Sequence, residues 1–218
     1  MNDKQNITNS DEVSSGDMDL NRRSTMKKIA SLIVAGLVTP TIFNSKTSHA
    51  APIINGQLKV AVVYFSKTGN TQFLAQEISR LSGGTLIEVK TVEPYPENYR
   101  ATTRKAKIEQ EENARPEITM SGSIEDADYV FIGYPNWWGT LPMALFTYLE
   151  QVSTANKTII PFCTHEGSQL GRGPRDIRRL CPSSTILAGY AQRGGDLELV
   201  KSSRSVNALH QWLASVSV

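Results

Sequence analysis

Three hydroxyl side chains, one amide and one glycine stand close together directly after an apolar run. The apolar run covers residues 60–65, and a helical pattern begins near Gln72. Between them lie Ser66, Lys67, Thr68, Gly69, Asn70 and Thr71. Free N–H groups at a helix N-terminus bind anions, and hydroxyl groups add further donors. The segment therefore predicts a phosphate-binding turn between a buried strand and a helix.

This segment resembles the phosphate loop of the flavodoxins, Ser/Thr-x-Thr-Gly-Asn-Thr, and matches it completely from Ser66 to Thr71. It lacks the glycine spacing of nucleotide triphosphate loops and of dinucleotide-binding folds. The resemblance implies that residues 66–71 hold the phosphate of flavin mononucleotide (FMN). The alternative is a polar helix cap, because Ser, Thr and Asn are common at helix N-termini.

A second unusual segment contains two adjacent tryptophans and comprises Pro135, Asn136, Trp137, Trp138, Gly139 and Thr140. Neighbouring side chains diverge after a strand, so both indoles cannot enter the core. An indole beside a glycine suits a flat aromatic ligand. The segment resembles the second flavin loop of flavodoxin-like proteins, which implies that Trp138, or secondarily Trp137, stacks on the flavin. The alternative is that both indoles fill gaps beneath the loop.

A third segment resembles a loop found in one flavodoxin-like subfamily, Cys-Thr-His-x-Gly-Ser. Its predicted flavin contacts are Thr164, His165, Glu166, Gly167 and Gly171. The tyrosine that covers the outer flavin face in small electron-carrier flavodoxins is missing here, which implies a more open face or one covered by His165. His165 is the candidate catalytic residue, as a proton donor to the flavin or to a substrate. The alternative is a histidine hydrogen-bonded within its own loop.

Apolar runs alternate with helical patterns along the rest of the chain. The predicted strands cover residues 58–65, 85–89, 129–134, 157–163 and 185–190, and the predicted helices cover residues 71–81, 98–113, 141–149, 170–180 and 197–216. This alternation predicts an α/β protein with a three-layer, doubly wound, five-stranded parallel sheet. The flavodoxin-like strand order 2-1-3-4-5 is implied by the resemblance. The carboxyl ends of the strands then bring the three segments together with residues 192–195.

Composition limits the function classes further. The chain has 218 residues and a net charge of +2, which gives no indication of nucleic-acid binding. Its three histidines and two cysteines show no spacing typical of a metal site. Cys163 and Cys181 are separated by a helix that runs back across the sheet, so we expect two free thiols.

Residues 1–50 differ in composition from the remainder. A polar start is followed by Arg22-Arg23, an apolar run over residues 29–43 and a small-x-small site at Ser48-His49-Ala50. The run is too short for a good transmembrane helix. The pattern predicts a signal peptide of twin-arginine type, cleaved after Ala50, ahead of a flavodoxin-like domain at residues 51–218. A Sec signal containing two arginines is the alternative.

These observations predict an exported FMN-binding protein, periplasmic or extracellular, that transfers electrons through its flavin. Its partner would be a redox protein or a small acceptor such as a quinone, with no nucleic acid and no membrane span after cleavage. One alternative is an FMN-dependent quinone or nitro-compound reductase, which the missing tyrosine favours. Another is a cofactor-free binding module, against which the intact 66–71 segment argues.

Overall fold

The computed structural model describes residues 58–216. The predicted signal peptide, its arginine pair and the cleavage site after Ala50 lie outside the described residues. The strands of the described part are β1 (Val60–Tyr64), β2 (Thr85–Thr91), β3 (Ile118–Met120), β4 (Tyr129–Pro135), β5 (Thr158–His165), β6 (Thr185–Ile186) and β7 (Tyr190–Arg193). The helices are α1 (Asn70–Ser82), α2 (Tyr99–Glu111), α3 (Met143–Gln151), α4 (Gly173–Leu180), α5 (Leu197–Lys201) and α6 (Ser203–Ser215).

The strands form one sheet in the order β3-β2-β1-β4-β5-β6, and β7 also pairs with β5. Every pairing is parallel except that between β2 and the edge strand β3. The predicted doubly wound α/β fold is confirmed, because β2, β1, β4, β5 and β6 follow the predicted order. The three-residue strand β3 was not predicted, since its residues are mostly exposed and carry no clear alternation.

A separate hydrophobic core covers each face of the sheet. Leu74 and Ile78 of α1 pack with Leu209 of α6 on one face. Leu145 of α3 and Ile177 of α4 lie in the core of the other face. Strands β1, β4 and β5 are buried between these layers, which explains their continuous apolar sequence.

The predicted fifth strand, residues 185–190, is divided into β6 and β7. Its first part pairs with β5 up to Ile159, and its second part pairs from Phe162 onward. The gap lies opposite Pro161, which has no N–H group to donate to a neighbouring strand. The proline of one strand therefore interrupts the strand beside it.

The predicted last helix, residues 197–216, is divided at Ser202. Ser202 has extended backbone angles, φ −57° and ψ 146°, and its side chain accepts a hydrogen bond from the N–H of Ser205. Serine is a favoured N-cap residue, so Ser202 ends α5 and starts α6.

Candidate functional site

The predicted phosphate turn lies at the N-terminus of α1. Gly69 directly precedes the helix and has a φ of +88°, a conformation that favours glycine. No side chain caps α1, and the same holds for α3 and α4, whereas α2, α5 and α6 are capped by Asn98, Asp196 and Ser202. The N–H groups of the first turn of α1 therefore lack the side-chain acceptor found at those helices, which leaves them available to an anion.

Asn70 and Thr71 are buried beneath this turn and join it to distant loops. The Asn70 amide donates to the carbonyl oxygen of Gly194 at 3.0 Å, and the hydroxyls of Thr71 and Thr164 are 2.8 Å apart. The other amide atom, Asn70 Oδ1, is buried without a hydrogen-bond partner among the described residues. Buried polar atoms are nearly always paired, so this acceptor is open to a donor from water or from a ligand.

The remaining residues of the turn lie at its outer side. Ser66 and Lys67 are half-buried, and Thr68 is exposed. Lys67 Nζ lies 3.8 Å from a carboxylate oxygen of the fully exposed Glu97. A pair at this distance with a fully exposed carboxylate is weak, so the Lys67 ammonium can turn toward a bound anion at little cost.

The second predicted segment forms a tight turn after β4. Trp137 and Thr140 exchange two backbone hydrogen bonds, at 2.9 and 3.1 Å. Between them, Trp138 and Gly139 have φ values of +52° and +84°, as in a type I′ turn. A bulky residue rarely adopts positive φ, and such strain concentrates at functional sites.

The two tryptophans of this turn point in different directions. The Trp137 ring packs edge-on against Phe65, with centroids 5.5 Å apart, and against Tyr95, at 5.0 Å. Trp138 is 50% exposed, and its indole N–H donates to the carbonyl oxygen of Thr103 at 3.0 Å. The expectation that both indoles cannot be buried is confirmed, and stacking by Trp138 stays a prediction.

The third segment begins at the end of β5. Thr164 is buried, and His165 Nδ1 accepts a hydrogen bond from the N–H of Gly167 at 2.9 Å. The pKa of His165 is lowered by burial and by the nearby Arg193, while Glu166 opposes the shift. His165 is thus held within its own loop by one nitrogen, and its neutral form is favoured.

The second and third segments contact each other closely. Gly139 O accepts from the N–H of Arg172 at 2.8 Å, and Asn136 donates its N–H to Thr164 O, also at 2.8 Å. Gly171 has a φ of +55°, and a Cβ atom at this position would collide with the Gly139 carbonyl group. Glycine at this position allows the two loops to meet.

A buried carboxylate that the sequence reasoning missed supports this contact. Asp176, in the first turn of α4, accepts a hydrogen bond from Thr140 Oγ1 at 2.6 Å and from Arg172 Nε at 3.3 Å. The contact of Tyr95 with Trp137 was not predicted either. The sequence signal that could have identified Asp176 is an acidic residue in the first turn of a helix, directly after a glycine-rich loop.

The predicted site residues therefore fall into one connected arrangement at the carboxyl ends of β1, β4, β5 and β7. The first segment meets the third through Thr71, and the second meets the third through Gly139. Glu166 is exposed, with its carboxylate beside Gly195.

Several further features of residues 58–216 bear on function. Cys163 and Cys181 are both buried and free, as expected, and burial raises the pKa of Cys163 to about 12. In this part of the chain no three acidic, histidine or cysteine side chains are grouped for metal binding. None of its helices is long and apolar enough to cross a membrane.

Solved structures share this fold. A candidate flavoprotein from Bacteroides eggerthii is 28% identical, with a TM-score of 0.61 over 74% of this chain and 99% of that one. Another from Bacteroides uniformis is 26% identical, with a TM-score of 0.60 over 71% and 97%. A Lactobacillus acidophilus flavoprotein, solved in complex with FMN, is 22% identical, with a TM-score of 0.56 over 62% and 93%.

The curated protein sequences contain no significant match to this chain. The sequence profile of the flavodoxin family, in contrast, matches residues 59–216. That range includes every strand, every helix and all three loops described above. The chain therefore belongs to the flavodoxin family.

Proposed function

We propose that this chain binds one FMN at the carboxyl ends of β1, β4 and β5 and transfers electrons through it. The observation that carries the proposal is the N-terminus of α1. It has no side-chain cap, and Asn70 Oδ1 beside it is a buried acceptor without a partner among residues 58–216. Both features are explained by a ligand that offers a phosphate and hydroxyl groups.

In this proposal residues 66–71 hold the phosphate. The N–H groups of the first turn of α1 and the hydroxyls of Ser66, Thr68 and Thr71 donate to it. Hydrogen bonds to a charged acceptor are stronger than neutral ones, so this turn supplies much of the affinity.

The flavin ring would lie beside the Trp138–Gly139 turn and the loop that begins at Thr164. Bound FMN supplies the redox chemistry, accepting and delivering electrons. The chain itself supplies the exposed Trp138 indole for stacking and the backbone groups of Gly139 for hydrogen bonding. The Lactobacillus relative, described in complex with FMN, supports this cofactor.

A second candidate function, reduction of a small acceptor such as a quinone or a nitro compound, is favoured by the third loop. Residues 164–171 contain no tyrosine or other aromatic ring larger than the imidazole of His165. His165 Nδ1 is engaged by Gly167, which leaves Nε2 as the nitrogen that carries the proton of the neutral ring. That proton is the one His165 would offer to a reduced acceptor.

A reductive titration of the purified holoprotein separates the two functions. Reduction in two resolved one-electron steps supports an electron carrier that docks with a redox protein. Reduction in a single two-electron step, followed by rapid reoxidation with a quinone, supports the reductase. If His165 serves the reductase, His165→Ala slows turnover with the acceptor much more than it weakens FMN binding.

We also propose that the chain is exported by the twin-arginine route and cleaved after Ala50. Arg22-Arg23 and the small-x-small site support this proposal. This route carries folded proteins, so FMN would be bound before export. Cell fractionation tests the proposal: replacing both arginines by lysine should retain the uncleaved protein inside the cell. Unchanged export of that variant would contradict it.

A further inference from the structure

A cavity of about 320 Å³ lies between the end of β2, helix α2 and the segment that leads to β3. Its walls are residues 91–93, Lys105 and Glu109 of α2, and residues 114–117. None of these residues belongs to the three loops assigned to FMN. The cavity therefore offers a second place for a ligand, separate from the FMN site.

The two cations in the cavity wall are already matched by carboxylates. Lys105 Nζ lies 2.8 Å from Glu93 Oε1. Arg115 makes two hydrogen bonds of 2.6 Å to Glu150, and its Nη1 atom donates to Asn113 and to the backbone. Neither cation is left to bind an anionic ligand.

Two carboxylates of the wall have no such partner. Among residues 58–216, neither Glu109 nor Glu117 lies within 4.0 Å of a cationic group. Lys105 is near enough to act on Glu109 electrostatically, but its charge is already balanced by Glu93. The cavity therefore has an excess of negative charge, and a cation is the ligand that compensates it.

Glu109 is the buried member of these two unpaired carboxylates. It is 8% exposed, and Tyr95 donates a hydrogen bond to its Oε2 atom at 2.5 Å. No described residue donates to Oε1, and the side chain lines the cavity. Burial raises the pKa of Glu109, and a cation at its open Oε1 atom would favour the charged form of the carboxylate.

Part of the wall suits an aliphatic chain. Val92, Ala114 and Pro116 line the cavity and expose only apolar side-chain atoms to it. The site thus combines a short apolar surface with a carboxylate at its inner end, the chemistry that recognises an amine on an alkyl chain.

We propose that this cavity binds a small alkylammonium ion, whose ammonium group pairs with Glu109 while its alkyl chain lies against Val92 and Pro116. Glu117, at the exposed rim, would attract the same ion or bind a second ammonium group.

Isothermal titration of the purified protein with putrescine, butanediol and succinate tests the proposal. These probes have similar carbon chains but carry two positive, no and two negative charges. Putrescine should bind, and the other two should bind at least about tenfold more weakly. Binding of butanediol or succinate with affinity equal to that of putrescine would overturn the proposal, as would no putrescine binding at all.

Variants locate the binding event. Glu109→Gln keeps an acceptor for Tyr95 but removes the charge, and it should weaken putrescine binding about tenfold or more. Glu112→Gln, an exposed change on the same segment but outside the cavity wall, is the matched control and should bind like the wild type. Equal binding by Glu109→Gln and the control would overturn the proposal.

A third variant fills the cavity without changing the charge of its wall. Ala114→Leu should occupy this volume and abolish putrescine binding. It therefore tests the proposal even if Glu109→Gln does not fold. Undiminished binding by Ala114→Leu would place the amine elsewhere on the protein and overturn the proposal.

Discussion

The hydroxyls of Thr71 and Thr164 lie 2.8 Å apart in the protein interior, although 93 residues separate them in the chain. Thr71 stands in the first turn of α1, and Thr164 lies near the end of β5. This single contact joins the predicted phosphate turn to the predicted ring-binding loop. Loss of either hydroxyl should therefore disturb both parts of the FMN site.

Thr71→Val preserves the branched shape and removes the hydroxyl. We expect FMN affinity to fall by about tenfold to a hundredfold, because a donor to a charged phosphate is worth about 1.5–3 kcal/mol. Fluorescence titration with FMN measures the change. Thr147→Val is the matched control, since Thr147 lies outside the three loops and also loses a partly buried hydrogen bond, to Pro116 O at 3.0 Å. A similar loss of affinity in both variants would show that the effect is general destabilisation.

Replacement of Trp138 separates stacking from folding. Because Trp138 is 50% exposed, Trp138→Ala should change the free energy of unfolding by less than about 1 kcal/mol. FMN affinity should fall about tenfold, since an aromatic contact contributes about 0.5–1.5 kcal/mol beyond its buried area. Trp138→Phe should recover most of that affinity. Trp212 lies in α6 and packs on Tyr190, and Trp212→Phe should leave the FMN affinity unchanged. Wild-type affinity in Trp138→Ala would rule out stacking by this residue.

Asp176→Asn tests whether α4 holds the Trp138–Gly139 turn in place. The amide keeps one acceptor but loses the charge that attracts Thr140 Oγ1 and Arg172. We expect a loss of about 1–3 kcal/mol in the free energy of unfolding, typical of weakened bonds to a buried charge, together with weaker FMN binding. Chemical denaturation and FMN titration measure the two effects. Asp126→Asn, at an exposed position, should change neither the stability nor the FMN affinity. If Asp176→Asn also changed neither quantity, a positioning role for Asp176 would be excluded.

His165 makes the stability of the fold depend on pH. Its pKa is lowered below 6.5 by burial and by Arg193, so the unfolded chain takes up a proton more readily than the folded one. The stabilisation is present above pH 6.5 and is lost as the pH falls through the folded pKa. Thermal unfolding between about pH 7 and about pH 5 should therefore show a smaller loss of stability for His165→Gln than for the wild type. Parallel curves would show that His165 does not cause the effect.

The β1–α1 junction could be predicted from the sequence because its signals are local. An apolar run marks β1, a glycine precedes the helix, and apolar spacing marks α1. The observed helix, Asn70–Ser82, differs from the predicted one by a single residue at each end. The outward position of one tryptophan followed from strand geometry alone.

Features that depend on contacts distant in the sequence could not be predicted in this way. The break between β6 and β7 depends on the register that places Pro161 of β5 opposite it. The bond between Thr140 and Asp176 joins residues 36 positions apart, and the contact of Tyr95 with Trp137 requires the assembled sheet. Such contacts become visible only once the elements are packed.

FMN binding by this chain depends, in our proposal, on the grip of residues 66–71 on the phosphate. Parallel titrations of the purified, flavin-free protein with FMN and with riboflavin test it most directly, because the two ligands differ only in the phosphate. We predict one FMN bound per chain and affinity for riboflavin at least about a hundredfold lower, as expected when several hydrogen bonds to a charged group are lost. Equal affinity for the two ligands, or no binding of FMN, would contradict the account.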